Sequence, residues 1–344
     1  MYPGLFIFGI HDHLTPSLGS EICKMATIAS SFHEAGVILK DRGLDIDAKK
    51  IAEIVKRYAR RAELIKEKTG IEITETLAGC RVIISTDGGR IRIRKNKRGP
   101  KTSKGRNRYT TKWREPKLII IYKVNEQGER ERTFLPFIEG TMKGPDAAFG
   151  LIKYYLSRLE ISKAFKILFV ADGARWIWNR IPALVKELGI ASKQFYSLVD
   201  FYHAVEHLVK IADLKTGWKN SEKKSWVKKH RRLLLNGKVD QVLSSVLSIC
   251  KGRKSKKIRS ERDYFVRNQK RMRYDLVSAN GLPIGSGAME SAIRRVVNLR
   301  LKGASIYWLE DTAEAMLLLR SFYKSGRWDM LKKQVYSTAC CMVV

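Results

Sequence analysis

The sequence predicts a mixed α/β core, preceded by a helical region and interrupted by a long all-helical segment. Three observations carry this reading. Strand-type patterning begins near residue 80 and recurs, between helix-type stretches, to about residue 199. Residues 14–70 instead repeat apolar side chains at helical spacing. Residues 203–280 read as helical and very basic, and are too long for a loop within a compact core. A chain of 344 residues suits roughly two domains. Its 44% hydrophobic content is enough for a proper core and excludes a disordered chain.

Taken in order, Thr15-Pro16 is a cap and first-turn pair for an opening helix. Gly43 marks a turn and Asp47 caps the next helix, where Ile51, Ile54, Val55, Tyr58, Ala62 and Ile65 keep one face. Lys49, Lys50, Lys56, Arg57, Arg60 and Arg61 occupy the other faces. Two helices about a tight glycine turn fit a DNA-binding helix-turn-helix, and equally an ordinary hairpin with a solvated basic face. Val82-Ile83-Ile84 then runs as a strand into Asp87, and Ile91 and Ile93 alternate with arginines. Leu118–Val124 is a continuous apolar strand and Arg132–Ile138 a third, with Gln127-Gly128 in the hairpin between them. Gly144-Pro145-Asp146 opens a helix to about Leu159. Lys166–Ala171 is uniformly apolar beyond its first residue, as in a parallel sheet, and a helix over Ile177–Leu188 and a short strand at Tyr196–Val199 follow. Three strands, helix, strand, helix, strand is the order of a ribonuclease H-like core. A helix carrying Glu290, capped by Ser286, and a last amphipathic helix over Glu310–Tyr323 complete the chain. The expected segments are a helical region (1–75), the first part of the core (76–202), a basic helical insertion (203–280), and core completion with C-terminal helices (281–344).

Lys and Arg total 67 against 34 Asp and Glu, a formal net charge of +33. That excess implies a polyanionic partner, because neutralising phosphates releases counterions. No apolar run reaches membrane-span length, and the apolar stretch from Tyr2 to Ile10 lacks the basic flank and cleavage site of a signal peptide. Five cysteines include no C-x-x-C pair, and the adjacent Cys340 and Cys341 read as incidental. These features predict a reduced, cytoplasmic, nucleoid-associated protein without structural zinc.

Against this basic background, three acids stand in glycine-marked settings. They are Asp87 in Ser-Thr-Asp-Gly-Gly-Arg, Asp172 in Val-Ala-Asp-Gly-Ala and Glu290 in Gly-Ser-Gly-Ala-Met-Glu-Ser. Asp-Gly is first of all a turn signal, and an acid in a helix's first turn complements its dipole. Position raises the interest of the aspartates: each ends an apolar strand, where open α/β sheets collect ligands. Converging carboxylates suit hard divalent cations, and two such ions can activate an attacking oxygen and stabilise a leaving one.

Residues 90–117 hold 13 Lys or Arg against one acid, with Tyr109 and Trp113 interleaved. This predicts a loop that tracks phosphates and stacks bases, formed by Arg90, Arg92, Arg94, Lys95, Lys97, Arg98, Lys101, Lys104, Arg106, Arg108, Trp113 and Arg114. A solvated charged face is its bland counterpart. Residues 251–273 hold 11 more Lys or Arg. Trp176 is a stacking residue in reserve, and Trp178 reads as core. His203-Ala-Val-Glu206-His207 matches the H-x-x-E-H pattern of zinc peptidases, a rival that lacks a clear third ligand and leaves the other motifs unexplained. His11-Asp12-His13 reads as a loop.

The chain resembles the ISKra-type insertion-sequence transposases, DDE enzymes related to the Mutator and hAT groups. The resemblance runs from about His11 to Asp329. It is carried by the blocks DGGRIRIRKNKRGPKTSKGRNRYTTKWREPKLIIIY, LFVADGARWIWNRIP, LVDFYHAVEHL and LPIGSGAMESAIRRVVNLRLKG. It implies a catalytic, metal-binding triad of Asp87, Asp172 and Glu290 using Mg²⁺ or Mn²⁺, and an all-helical insertion before the last acid. It also implies that Asp200-Phe-Tyr-His203 is the C/D-x-x-H motif of the related groups, with His203 near the scissile phosphate. The implied partners are the element's inverted repeats and target DNA, bound by a homo-oligomer. Members commonly carry a longer N-terminal region, so a truncated copy or a start within a longer frame is expected. A DNA-binding remnant without catalysis is the alternative.

Overall fold

The computed structural model describes residues 4–5, 8–11, 13–103, 105–252 and 255–337. Lys104 of the predicted basic loop, Asp12, and the pair Cys340 and Cys341 lie outside them.

Three helices come first: α1 (Pro16–Ile28), α2 (Phe32–Asp41) and α3 (Ala48–Lys68). Thr15 caps α1 by accepting from Leu18 N, and Asp47 caps α3 by accepting from the backbone N–H of Lys49 and Lys50. The predicted apolar face of α3 is buried at all six positions. It packs on α1 and on the C-terminal helices α13 (Glu310–Ser325) and α14 (Trp328–Val335). Polar side chains lock that contact: Trp328 donates its indole N–H to Ser20 Oγ at 3.0 Å, and the buried Arg320 donates to Thr27 O at 2.8 Å.

The centre is a five-stranded mixed sheet in the order β5-β4-β1-β6-β7. Its strands are β1 (Arg81–Gly88), β4 (Lys117–Val124), β5 (Phe137–Thr141), β6 (Lys166–Ala171) and β7 (Phe195–Val199). β1, β4 and β5 pair antiparallel, while β1, β6 and β7 run parallel. Successive side chains point to opposite faces, so unbroken burial from Val82 to Thr86 means that both faces of the sheet are covered. Helices α4 (Pro145–Arg158), α12 (Gly287–Ile293) and α13 lie against it. Between β6 and β7 come two short helices, α5 (Arg175–Trp178) and α6 (Ile181–Glu187).

Two differences from the sequence reading have clear causes. The third strand begins at Phe137, not Arg132, because Pro136 has no N–H for the ladder. Residues 135–136 are held instead by the buried Arg327, which donates to the carbonyls of Leu135 and Pro136. The basic loop is in part an ordered hairpin, β2 (Ile91–Asn96) with β3 (Tyr109–Arg114), forming its own two-stranded sheet.

The segment after β7 is all-helical, as predicted: α7 (Phe201–Leu214), α8 (Asn220–Leu235), α9 (Val239–Cys250), α10 (Lys256–Asn268) and α11 (Tyr274–Ala279). One hydrophobic cluster runs from Ile22 to Val335 and includes Leu234, Val246 and Phe265 of this segment. Among the described residues no helix is long and apolar enough to cross a membrane.

Candidate active site

Asp87 and Asp172 are set side by side by the sheet. β1 and β6 are parallel neighbours, their ladder running from Arg81–Lys166 to Ile84–Phe169; Asp87 lies near the end of β1 and Asp172 directly after β6, close enough for their charges to interact. Each carboxylate also closes its own turn: Gly88 N donates to Asp87 Oδ1 at 2.6 Å, and Ala174 N to Asp172 Oδ1 at 3.0 Å. The Trp178 indole N–H donates to the Asp172 carbonyl at 2.7 Å, which confirms Trp178 as a core residue. Burial pushes the Asp87 carboxyl up to about 6; repulsion from Asp172 adds to this, and the Gly88 N–H and the nearby His203 oppose it. Two carboxylates so placed gain from a cation between them.

A second group stands where the helical insertion leaves and rejoins the core. Ligand atoms of Asp200, His203 and Glu290 lie within 4.8 Å of one another, a grouping able to hold a metal ion. Asp200 caps α7 and is fully buried. Its Oδ1 accepts from His203 N at 2.9 Å, and its Oδ2 accepts from Ser286 N and from Ser286 Oγ at 2.7 Å. Ser286 is the cap residue of the Glu290 helix, as expected, and its carbonyl accepts from Met289 N and Glu290 N, but its hydroxyl is given to Asp200. Phe201 N donates to Ile284 O at 3.0 Å beside this clasp. Burial alone would raise Asp200, but the bonds from His203 and Ser286 outweigh it and hold the carboxyl at about 2. His203 Nδ1 sits 3.3 Å from Asp200 Oδ1, a charge contact off the hydrogen-bond line. That carboxylate lifts the imidazole to about 9 against the opposing effect of burial, with Glu206 and Asp172 adding to the lift.

His203 therefore links the two groups: its charge interacts with Asp172, and a ring nitrogen lies within 4.8 Å of a Glu290 carboxylate oxygen. Of the three acids singled out from sequence, Glu290 stands at ligand spacing with Asp200 and His203, a grouping that does not include Asp87 or Asp172.

The insertion covers the back of this region. A Cβ on Gly173 would collide with the Tyr264 ring of α10 and sit 2.8 Å from Asn268 Nδ2, so glycine here serves close approach. The Tyr264 hydroxyl is buried without a hydrogen-bond partner; burial, then the charges of Asp172 and Asp200, keep it protonated. On the other side, a Cβ on Gly89 would sit 2.9 Å from Val297, in the π-helical turn that continues α12. His207 is bonded by Glu261 and stacked on Tyr264 at 3.6 Å, and it is not a member of the metal-capable group. The H-x-x-E-H pattern thus divides its histidines between two environments.

The predicted phosphate-binding residues fall into two sets. Arg90, Arg94, Lys95, Lys97, Arg98, Lys101, Arg106 and Arg108 are exposed on the hairpin and its tip, as is Trp113. Arg92 is instead engaged by Gly303 O and lies 3.4 Å from the Tyr307 hydroxyl, and Arg114 pairs with Glu310 at 3.0 Å. Trp176 is flanked by Lys117, 4.2 Å from its ring centre, and by Phe149 edge-on. Sequence reasoning named Ser286 only as a helix cap and missed Tyr264, Glu261 and Tyr307. For Ser286 the Gly-Ser-Gly setting was a signal of a tight loop; the others carry none, because their roles arise from contacts across the fold. A cavity of about 790 Å³ lies along α3 and is lined by Arg60, Lys143 and Asp311 among others; Asp87, Asp172, Asp200 and Glu290 do not line it. No family model, curated protein or solved structure matches the chain.

Proposed function

We propose that the chain is a DNA transposase of the ISKra type with a ribonuclease H-like core. In this reading Asp87, Asp172 and Glu290 hold divalent magnesium or manganese, and the protein cuts and rejoins DNA strands. The observation that carries it is the position of Asp87 and Asp172 at the carboxyl ends of adjacent parallel strands, near enough to repel one another, with Glu290 on a helix packed on β1. The sheet supports it too: three antiparallel strands joined through β1 to two parallel ones is the ribonuclease H-like order.

The donor set suits a hard divalent cation, since carboxylate oxygens predominate and Asp87 and Asp172 repel one another in its absence. Bound there, such ions would supply Lewis-acid activation of water or a DNA 3′-hydroxyl. The chain's own residues do the remaining work. Asp200 fixes His203 and, through Ser286, the loop that leads into the Glu290 helix. His203 carries positive charge beside the acids, suited to a phosphate oxygen. Tyr264 and Asn268 close the Asp172 turn from behind. The basic surface holds DNA, with the inverted repeats of its own element and target DNA as partners, bound by a homo-oligomer in the nucleoid.

The test is cleavage of element ends by Asp172→Asn and Glu290→Gln in Mg²⁺. Loss in both supports the triad; full activity in both ends it. A zinc peptidase is disfavoured by the division of His203 from His207, and stoichiometric zinc in the purified protein would revive it.

A further inference from the structure

We infer that the outer face of the β2–β3 hairpin is a platform for unpaired bases of single-stranded DNA. Arg90, Arg92 and Arg94 stand at alternate residues and so project to one face. The register sets Arg92 opposite Trp113 and Asn96 opposite Tyr109, which brings both rings to that same face. Guanidinium groups and rings then interleave. Arg90 and Arg92 lie 5.3 and 5.5 Å from the Trp113 ring centre, Arg94 lies 6.0 Å from Tyr109, and Tyr109 meets Tyr307 at 5.8 Å. Trp113 is 51% and Tyr109 45% exposed.

These rings are not needed to hold the hairpin. Its other face is anchored by the buried Ile91 and Ile93, and its edge by backbone bonds between β2 and Trp308 at 2.8 and 3.0 Å. A duplex keeps its base faces inside its own stack, and a ribbon reading the major groove uses polar side chains on base edges. Half-exposed rings capped by guanidiniums suit an extracted base, which every aromatic surface accepts whatever its sequence. Arg90 and Arg94 are four residues apart, about 13 Å along a strand, a spacing that lets them meet separate phosphates of an extended single strand. The face begins three residues after Asp87, so a strand lying on it leads to the acids.

The inference rests on the transposase reading for the choice of DNA, but it is tested without metal or cleavage, so either can fail alone. The experiment is fluorescence anisotropy of the full chain, metal-free, with a labelled oligo(dT) and a hairpin duplex of equal nucleotide count. Wild type is expected to bind oligo(dT) and to show Trp quenching that Trp113→Ala removes. Trp113→Ala is expected to weaken oligo(dT) roughly tenfold and to leave the duplex within about twofold, while Trp113→Phe restores binding. Equal loss on both ligands, no loss on either, or preference for oligo(rU) over oligo(dT) overturns it. Circular dichroism melting of each variant separates lost binding from lost folding; where Trp113→Ala unfolds, Tyr109→Ala is read in its place.

Discussion

The acid cluster and the basic hairpin begin three residues apart, at Asp87 and Arg90, yet they handle charge in opposite ways. Inside, Asp200 is wholly buried and both its oxygens are engaged, so its geometry is set before any ligand arrives. Outside, Arg90 and Arg94 have rings for neighbours and open solvent around them. Charge that must sit at a fixed point is desolvated and paired, where its interactions are strong. Charge that must meet a long flexible anion stays exposed, where it attracts at range and releases easily.

The contrast yields tests, the largest effect first. Asp172→Asn and Glu290→Gln should each lower Mg²⁺-dependent cleavage about a thousandfold, the loss expected when several kcal/mol of charge stabilisation vanish. Single-turnover assays on labelled element ends measure this. Exposed variants such as Lys97→Ala should instead weaken binding modestly and reduce its salt slope by about one charge.

Asp200→Ala should cost about 3–5 kcal/mol in urea unfolding, since it removes the α7 cap and leaves the buried Ser286 N–H and hydroxyl without their acceptor. Ser286→Ala should cost about 1 kcal/mol. If Asp200→Ala proves no worse than a surface change, the clasp is not what holds the insertion to the core.

The pH dependence follows from the same pair. Asp200 has a folded value of about 2, below its ordinary 3.8, so its contribution is complete above about 4 and is lost as pH falls through 2. His203 has a folded value of about 9, above its ordinary 6.5, so its contribution is complete below 6.5 and is lost as pH rises through 9. Metal-free stability should therefore peak between those limits, and Asp200→Asn should flatten the alkaline limb. Thermal melts across pH measure both.

Asp87 has the reverse sign. Its folded value of about 6 lies above its ordinary 3.8, so folding stability falls as pH rises through that interval. Asp87→Asn should stabilise the metal-free protein by about 1–2 kcal/mol at pH 7, with no gain below pH 4, and should abolish any stabilisation by Mg²⁺. A variant less stable than wild type at pH 7 would show that the carboxylate is a structural group.

Much of this was legible in the chain. The apolar spacing of α3 named its buried residues, because a helix that must bury one face repeats that face every three or four positions. The uniform run from Ile167 to Ala171 marked a strand buried on both sides, and Asp172 followed as its ligand-side end. The basic character of residues 90–117 was equally plain. Charge density does not say which arginines are free, however: Arg92 is drawn back by Gly303 O and Arg114 by Glu310, partners more than 190 residues away in sequence.

By itself, then, the sequence determined the element types, the positions of Asp87 and Asp172 at strand ends, and an insertion too long to be a loop, since these follow from local periodicity and spacing. Only the tertiary structure decided that β1 and β6 are neighbours, that the Ser286 hydroxyl serves Asp200 while its carbonyl starts its own helix, and that Tyr264 packs against the turn after Asp172. Those are contacts between residues 80 to 100 positions apart, and nothing in a linear pattern encodes which distant partner will satisfy a buried carboxylate once the core has formed.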